Sequence, residues 1–193
     1  MIHRLYARTL ALAGHRHATA GLAGVAFLES SVFPIPPDVL LVPMVLADRA
    51  RAWTLALVCT VASVAGGLAG YAIGFFLFET VGKPVLAFYG SLEAFEEVRT
   101  LYAAWGFWIV FAAGLTPIPY KVFTIASGVF TLNPAVFVLG SAVSRAARFF
   151  AISALLWYLG PPVRRFVEAH LSLVATALVV LLVAGFVAVR YGV

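Results

Sequence analysis

The stretch Pro34-Ile35-Pro36-Pro37-Asp38 interrupts an otherwise apolar part of the chain, between GLAGVAFLESSVF and VLLVPMVLA. Proline lacks a backbone donor and clashes with the preceding helical turn, so a straight helix cannot continue through three of them. The stretch therefore predicts two helical arms that are separated by a break. It also places the carboxylate of Asp38 at the start of the second arm.

The composition is that of a membrane protein. The chain has 193 residues, of which 63% are hydrophobic and 11% are charged, whereas soluble domains carry about 25% charged residues. We therefore expect an all-α polytopic membrane protein. The net charge of +5 comes from basic residues scattered between apolar runs, which favours anionic lipid headgroups over nucleic acid as partners.

The two arms around the first break are too short to span a bilayer separately. Residues 18–47 provide arms of about 10 to 15 residues, and a span needs about 20. Backbone groups freed by a break are tolerated at membrane depth only inside protein or beside water. We predict that residues 18–47 form a re-entrant hairpin that breaks at Pro34, Pro36 and Pro37.

The same pattern returns later in the chain. The sequence PIPYK follows Thr116, and apolar runs flank it on both sides. We predict a second re-entrant hairpin over residues 104–131, which breaks at Pro117 and Pro119. A transmembrane helix follows each hairpin, at residues 52–78 and 134–159. Because one span reverses the direction of the next unit, the two units would be inverted repeats, as in many secondary transporters.

The remaining segments complete the predicted architecture. Residues 1–17 alternate apolar and basic side chains at helical spacing, which indicates an amphipathic helix on the membrane surface. Residues 79–103 are the most polar stretch and are expected outside the hydrocarbon. A polar turn is expected at 160–170, and a C-terminal transmembrane helix at 171–190.

The distribution of basic residues predicts a cytoplasmic N-terminus. With that orientation, the cytoplasmic segments hold Arg4, Arg8, Arg16, Arg49, Arg51, Arg164 and Arg165. The outer segments hold fewer, namely Lys83, Arg99 and Arg190.

A stripe of small residues lies within the first predicted span. Gly66, Gly70 and Gly74 recur every four residues, on one helical face. Such a stripe allows another helix to approach closely, and it could serve a homo-oligomer. Alternatively, it reflects the general enrichment of glycine in membrane helices.

Five charged residues fall at membrane depth: Glu29, Asp38, Lys121, Arg145 and Arg148. Each costs about 2.5 to 3.5 kcal/mol near the centre of an isolated helix, so they must face one another or water. Together they predict an intramembrane polar site. Asp38 and Lys121 occupy equivalent repeat positions, so they could instead form a structural pair. Glu29 could accept hydrogen bonds from the freed backbone.

Chemistry of other kinds is not indicated. The sequence contains no nucleophile–base constellation, no phosphate-binding loop and no metal-ligand spacing. We therefore expect no enzymatic activity, no cofactor and no metal. The single cysteine, Cys59, excludes an internal disulfide.

Three blocks of sequence resemble a known family. They are ESSVFPIPPD at residues 29–38, GLAGYAIG at 67–74 and GLTPIPYK at 114–121. In this order they are similar to the DedA family, also called the VTT or SNARE-associated membrane family, and to its YqaA-like branch. The likeness covers roughly residues 15–170.

The resemblance implies a fold and a function. It implies two facing re-entrant hairpins, residence in the bacterial cytoplasmic (inner) membrane and movement of lipids between leaflets, either polyprenyl-phosphate carriers or phospholipids. The family's acidic pair corresponds to Glu29 and Asp38. Many members carry Arg-Phe before the second proline block and an arginine just after it. Here Gly114-Leu115 and Tyr120-Lys121 stand at those places.

These observations lead to a flippase hypothesis. A lipid phosphate would bind Lys121, Arg145 and Arg148, while Glu29 and Asp38 would exchange protons. Two alternatives stay open at this point. One is a proton-coupled transporter of a small solute or ion, and the other is a membrane scaffold that transports nothing.

Overall fold

The computed structural model describes residues 18–33, 35–78, 80, 92–116 and 119–169. Within these ranges the chain is helical and contains no strand, which confirms the all-α class. The six α-helices are α1 Ala18–Ser31, α2 Asp38–Ala47, α3 Ala52–Leu77, α4 Leu92–Leu115, α5 Tyr120–Val129 and α6 Pro134–Ala169. The predicted helices at 1–17 and 171–190 lie outside the described residues, as do Pro34 and Pro117.

Three stretches are long and apolar enough to cross a membrane. They are Arg49–Leu77, Phe95–Leu115 and Pro134–Gly160. The first and third contain the predicted spans at 52–78 and 134–159 almost entirely. The second was expected to be divided between a polar segment and a short hairpin arm.

The first break separates α1 from α2. The amides of Val32 and Phe33 both donate to the carbonyl of Leu28, at 2.9 and 2.7 Å, and so close the end of α1. Pro37 precedes α2 with helical backbone angles. Proline suits this place because the amides of a first turn have no helical acceptor in any case.

The second broken pair consists of α4 and α5. Helix α4 has 24 residues and runs without interruption across positions 103 and 104, where the sequence predicts a boundary. No helix end occurs there, because glutamate and arginine are good helix formers and their polarity alone does not end a helix.

The turn before α6 has a defined geometry. Thr131 adopts a positive φ of 54°, and the amide of Leu132 donates to the carbonyl of Ser127 at 2.9 Å. Asn133 then caps α6 through Oδ1, which accepts from the amide of Ala135 at 2.9 Å. Helix α6 continues to Ala169, so the predicted polar turn at 160–170 is helical over most of its length.

Both broken pairs pack against α3. A Cβ on Gly66 would overlap the carbonyl of Phe27 in α1, and a Cβ on Gly74 would overlap that of Ile125 in α5. Between them, Gly70 lies against Thr124 of α5. The glycine stripe is thus the surface on which the two halves of the protein meet.

Two apolar clusters form the core. The first joins α1, α2, α3 and α6 and includes Leu22, Leu41 and Phe149. The second joins α4, the α5 region and α6 and includes Tyr120 and Phe137. The charged residues of α6 lie where these two clusters meet.

Candidate functional site

The more deeply buried ion pair joins α6 to α1. A guanidinium nitrogen of Arg145 contacts a carboxylate oxygen of Glu29 and donates to the hydroxyl of Ser30 at 3.0 Å. The Arg145 side chain is 3% exposed and that of Glu29 is 14% exposed. Ser30 in turn bonds Ser63 of α3 at 2.6 Å, so three helices hold this pair.

Aromatic rings enclose the same arginine. The guanidinium carbon lies 4.2 Å from the ring centre of Tyr120 and 5.4 Å from that of Phe149. Both distances are within the range of a cation–π interaction. The Tyr120 hydroxyl donates to Ser141 at 2.5 Å, which fixes the ring. Arg145 is therefore held by an acid, a hydroxyl and two aromatic rings.

The second ion pair joins α6 to the first break. Arg148 Nη2 donates to Asp38 Oδ2 at 2.5 Å, and Arg148 Nη1 donates to the carbonyl of Thr116 at 3.1 Å. The side chains are 23% and 18% exposed, respectively. Arg148 thus connects the first break, through Asp38, with the second break, through Thr116.

Lys121 makes the opposite connection. It starts α5 beside the second break, and its Nζ lies 3.4 Å from the carbonyl of Val32 in the first break. Nearby, the hydroxyl of Thr124 donates to the carbonyl of Ser30 at 3.1 Å. Each break therefore offers a freed carbonyl to a cation.

Asp38 does not contact Lys121, the partner that the alternative of a structural pair would give it. Its observed partner is Arg148, because α6 passes between the two breaks and brings that guanidinium to the carboxylate. The other oxygen, Asp38 Oδ1, is buried without a hydrogen-bond partner among the described residues, and so is Arg145 Nε. Asp38 Oδ1 could accept a further hydrogen bond, and Arg145 Nε could donate one.

The structure gathers Glu29, Asp38, Lys121, Arg145 and Arg148 around the breaks and α6; we call these five residues the charged cluster. Sequence reasoning missed the polar residues that position it, in particular Ser30, Ser63, Tyr120 and Ser141. Their hydroxyls stand in apolar helices and next to charges, which is the signal that could have found them. Across the described ranges, no group of three His, Cys, Asp or Glu side chains could hold a metal ion.

The charged cluster has an excess of basic groups. It contains three bases and two acids, so one positive charge remains when all five groups are ionised. Arginine binds phosphate and carboxylate through paired donors.

Comparison with known proteins identifies a family and two relatives. The family model of the VTT domain matches residues 35–158. An uncharacterized protein of Haemophilus influenzae is 35% identical over 182 residues, which cover 94% of each chain. An uncharacterized protein of Histophilus somni is 35% identical over 156 residues, or 81% of each chain. No solved structure matches the chain.

Proposed function

The chain belongs to the VTT-domain family, also called the DedA family, and we propose that it is a lipid transporter. The proposed cargo is an anionic lipid, either a polyprenyl phosphate or a phospholipid, which moves between the leaflets of the bacterial cytoplasmic membrane. The observation that carries the proposal is the Arg148–Asp38 pair. It lies at both breaks, and it is partly exposed while its neighbouring pair is buried.

The two ion pairs would have different tasks. Arg145 is enclosed by aromatic rings and held through Ser30, so it would position α6 against α1. Arg148 has one carboxylate oxygen and one carbonyl as partners. A lipid phosphate can replace that carboxylate, since both are anionic acceptors that fit a guanidinium.

Proton coupling would follow from the competition between Asp38 and the lipid phosphate for Arg148. Protonation of Asp38 removes its charge and frees Arg148 to bind the phosphate. Deprotonation restores the ion pair and releases the headgroup. Glu29 would take part through Arg145, although its tighter enclosure makes exchange there slower.

The lipid tail would stay in the bilayer during transport. Around the first break, the side chains of Val32, Phe33 and Ile35 are about half exposed. These apolar groups adjoin the carbonyl to which Lys121 donates. A headgroup at Arg148 could therefore be reached from the lipid side without a wide aqueous pore.

We also propose the topology that transport would use. Helices α2 and α5 each have ten residues and would extend about 15 Å, half of the hydrocarbon core. We infer that the breaks are re-entrant, that the two units are inverted and that the N-terminus is cytoplasmic. This arrangement supports alternating access and no enzymatic step.

One observation favours a second candidate, a membrane scaffold that transports nothing. Both acids of the charged cluster already have an arginine partner within the protein. Five charges that satisfy one another, with backbone carbonyls as further partners, could hold the two breaks together with no ligand at all.

Reconstitution distinguishes the two candidates. Liposomes that contain the full chain and a labelled anionic lipid report its movement between leaflets. We expect Arg148→Gln to lower the flipping rate at least about tenfold, the effect of losing one charge-assisted contact. Arg51→Gln is the matched control, since Arg51 also bonds a threonine, Thr19 at 2.8 Å, but lies away from the breaks.

Either of two results would refute transport. One is that wild-type liposomes flip the lipid no faster than empty ones. The other is that a folded Arg148→Gln protein flips it as fast as the wild type. Lys121→Gln should give a smaller decrease than Arg148→Gln, because Lys121 contacts a carbonyl rather than the exchanging carboxylate.

A further inference from the structure

A cavity of about 560 Å³ lies between α4, the turn after α5 and the start of α6. Its walls include Arg99, Ala103, Ala104, Phe107, Asn133 and Val136. The charged cluster is elsewhere: Arg145 lies about 16 Å further along α6 from Pro134, at the helical rise of 1.5 Å per residue. The cavity is therefore separate from the proposed transport site.

Two hydrogen-bond acceptors in the cavity wall are already occupied. Asn133 Oδ1 accepts from the amides of Ala135 and Val136, at 2.9 and 3.4 Å, and the carbonyl of Leu132 accepts from the hydroxyl of Tyr71 at 2.7 Å. The wall still offers donors, namely the guanidinium of Arg99 and the side-chain amide nitrogen of Asn133. A guanidinium and an amide donor suit a ligand that accepts hydrogen bonds and carries negative charge, and a phosphate is such a ligand.

The position of the cavity also favours a ligand that has an apolar part. Arg99 stands near the start of the span Phe95–Leu115, and Asn133 directly precedes the span Pro134–Gly160. Along these helices, the apolar lining residues Phe107 and Val136 lie further into the spans than the polar ones. A ligand that fills the cavity would have its phosphate at the bilayer surface and its apolar part below.

Arg99 is available to such a ligand. Its guanidinium lies 3.2 Å from Glu96, and both side chains are about half exposed. An exposed pair of this kind contributes little to stability, so a phosphate can displace the glutamate.

We propose that this cavity binds the headgroup of an anionic phospholipid from the leaflet at that end of the bundle. The site is additional to the charged cluster and does not require that the protein transports lipid. A bound headgroup would contact both walls of the cavity. It would therefore anchor α4 to the turn before α6.

Native mass spectrometry of the full chain in detergent tests the proposal, with phosphatidylglycerol and phosphatidylcholine as probes. We expect Arg99→Gln to weaken phosphatidylglycerol binding about tenfold, as for the loss of one charge-assisted contact. Phosphatidylcholine binding should not change. Arg51→Gln removes the same charge just before α3, outside the cavity lining. It should change phosphatidylglycerol binding less than about twofold.

A second pair of variants tests the cavity itself. Ala104→Trp would fill it from an exposed position of α4 and should abolish the high-affinity phosphatidylglycerol site. Ala112→Trp, also exposed on α4 but outside the lining, should leave that site intact. Glycerol phosphate, which has the headgroup but no chain, should compete poorly.

Three outcomes would overturn the assignment. Undiminished phosphatidylglycerol binding in both Arg99→Gln and Ala104→Trp would show that the cavity is not the site. An equal decrease in Arg51→Gln would show a general effect of charge. Competition by glycerol phosphate at the affinity of the intact lipid would indicate a site for soluble phosphates instead. None of these results depends on the flipping rate, so the transport proposal stands or fails separately.

Discussion

The two broken helix pairs differ mainly in their first arms. The second arms, α2 and α5, have ten residues each, whereas the first arms have 14 residues in α1 and 24 in α4. Both pairs have a proline-rich break, and both pack against the glycine stripe of α3. The similarity is therefore concentrated at the breaks.

The additional length of α4 lies before the start of α6, where Phe95 packs against Phe78 and Phe130. Arg148 bonds Thr116 at the second break and lies about 21 Å along α6 from its start, while α4 from Phe95 to the break measures about 31 Å. Because Gly114 packs against Ser144, and Gly140 lies near Phe107, the two helices run alongside each other. About 10 Å of α4 from Phe95 onward, together with its first three residues, therefore lies before the level at which α6 starts.

The breaks also differ in charge. The first pair contributes both acids of the charged cluster, Glu29 and Asp38, and the second contributes a carbonyl and Lys121. Helix α6 follows the second pair, and its arginines neutralise the acids of the first. The two halves thus carry complementary charges rather than equivalent ones. Each prediction below removes or alters one contact between the two halves.

The largest effect is expected when Arg145 loses its acid. Glu29→Ala would leave a guanidinium that is 3% exposed without its carboxylate, which typically costs about 3 to 5 kcal/mol. Unfolding in mixed micelles by SDS titration measures the change in free energy. The double variant Glu29→Ala/Arg145→Met should recover much of the loss, because no buried charge remains. A single variant as stable as the wild type would contradict the buried pair.

The next largest effect concerns the contact of α5 with α3. Gly74→Ala would place a methyl group against the carbonyl of Ile125, and such overpacking costs about 1 to 3 kcal/mol. Gly24→Ala in α1 is the control, because a Cβ there meets no atom within 4 Å. The control should be neutral or slightly stabilising, since alanine favours helix over glycine. Equal stability of the two variants in the same SDS titration would show that α5 does not depend on this contact.

Features that depend on local chemistry could be predicted from the sequence. The proline clusters predict both breaks, and the apolar runs predict the spans that α3 and α6 provide. The boundary that the sequence predicts at residue 103 falls inside α4, because charged residues such as Glu96 and Arg99 make a helix more polar without ending it. Where α4 ends is set by the break, whereas its polarity sets only how much of it can enter the bilayer.

Asp38 should have an intermediate effect on stability. Asp38→Asn keeps the shape of the side chain but removes the charge opposite Arg148, which retains the carbonyl of Thr116 as a partner. Because both side chains are about one-fifth exposed, we expect a loss of about 1 to 2 kcal/mol, less than for a fully buried pair. The SDS titration that is used for Glu29→Ala measures it, and a loss as large as for Glu29→Ala would refute the distinction between the two pairs.

The residues of the charged cluster could be predicted from the sequence, but which acid pairs with which base could not. The cost of a charge at membrane depth is a property of each residue, so Glu29, Asp38 and the three bases could be identified individually. Which carboxylate meets which base depends on how α6 passes the breaks, and no residue spacing within one helix records that. The equivalent positions of Asp38 and Lys121 left a structural pair open as one alternative, whereas Arg148 is the observed partner of Asp38.

The smallest effect should come from Lys121, the one base of the charged cluster that contacts a carbonyl and no carboxylate among the described residues. Its Nζ lies 3.4 Å from the carbonyl of Val32, a long hydrogen bond by ordinary criteria. Lys121→Met keeps the aliphatic stem, so we expect a loss below about 1 kcal/mol in the SDS titration. The matched variant Arg148→Met removes contacts to both breaks and should cost more. If Lys121→Met were the more destabilising of the two, then the second break, and not α6, would be what holds the first break in place.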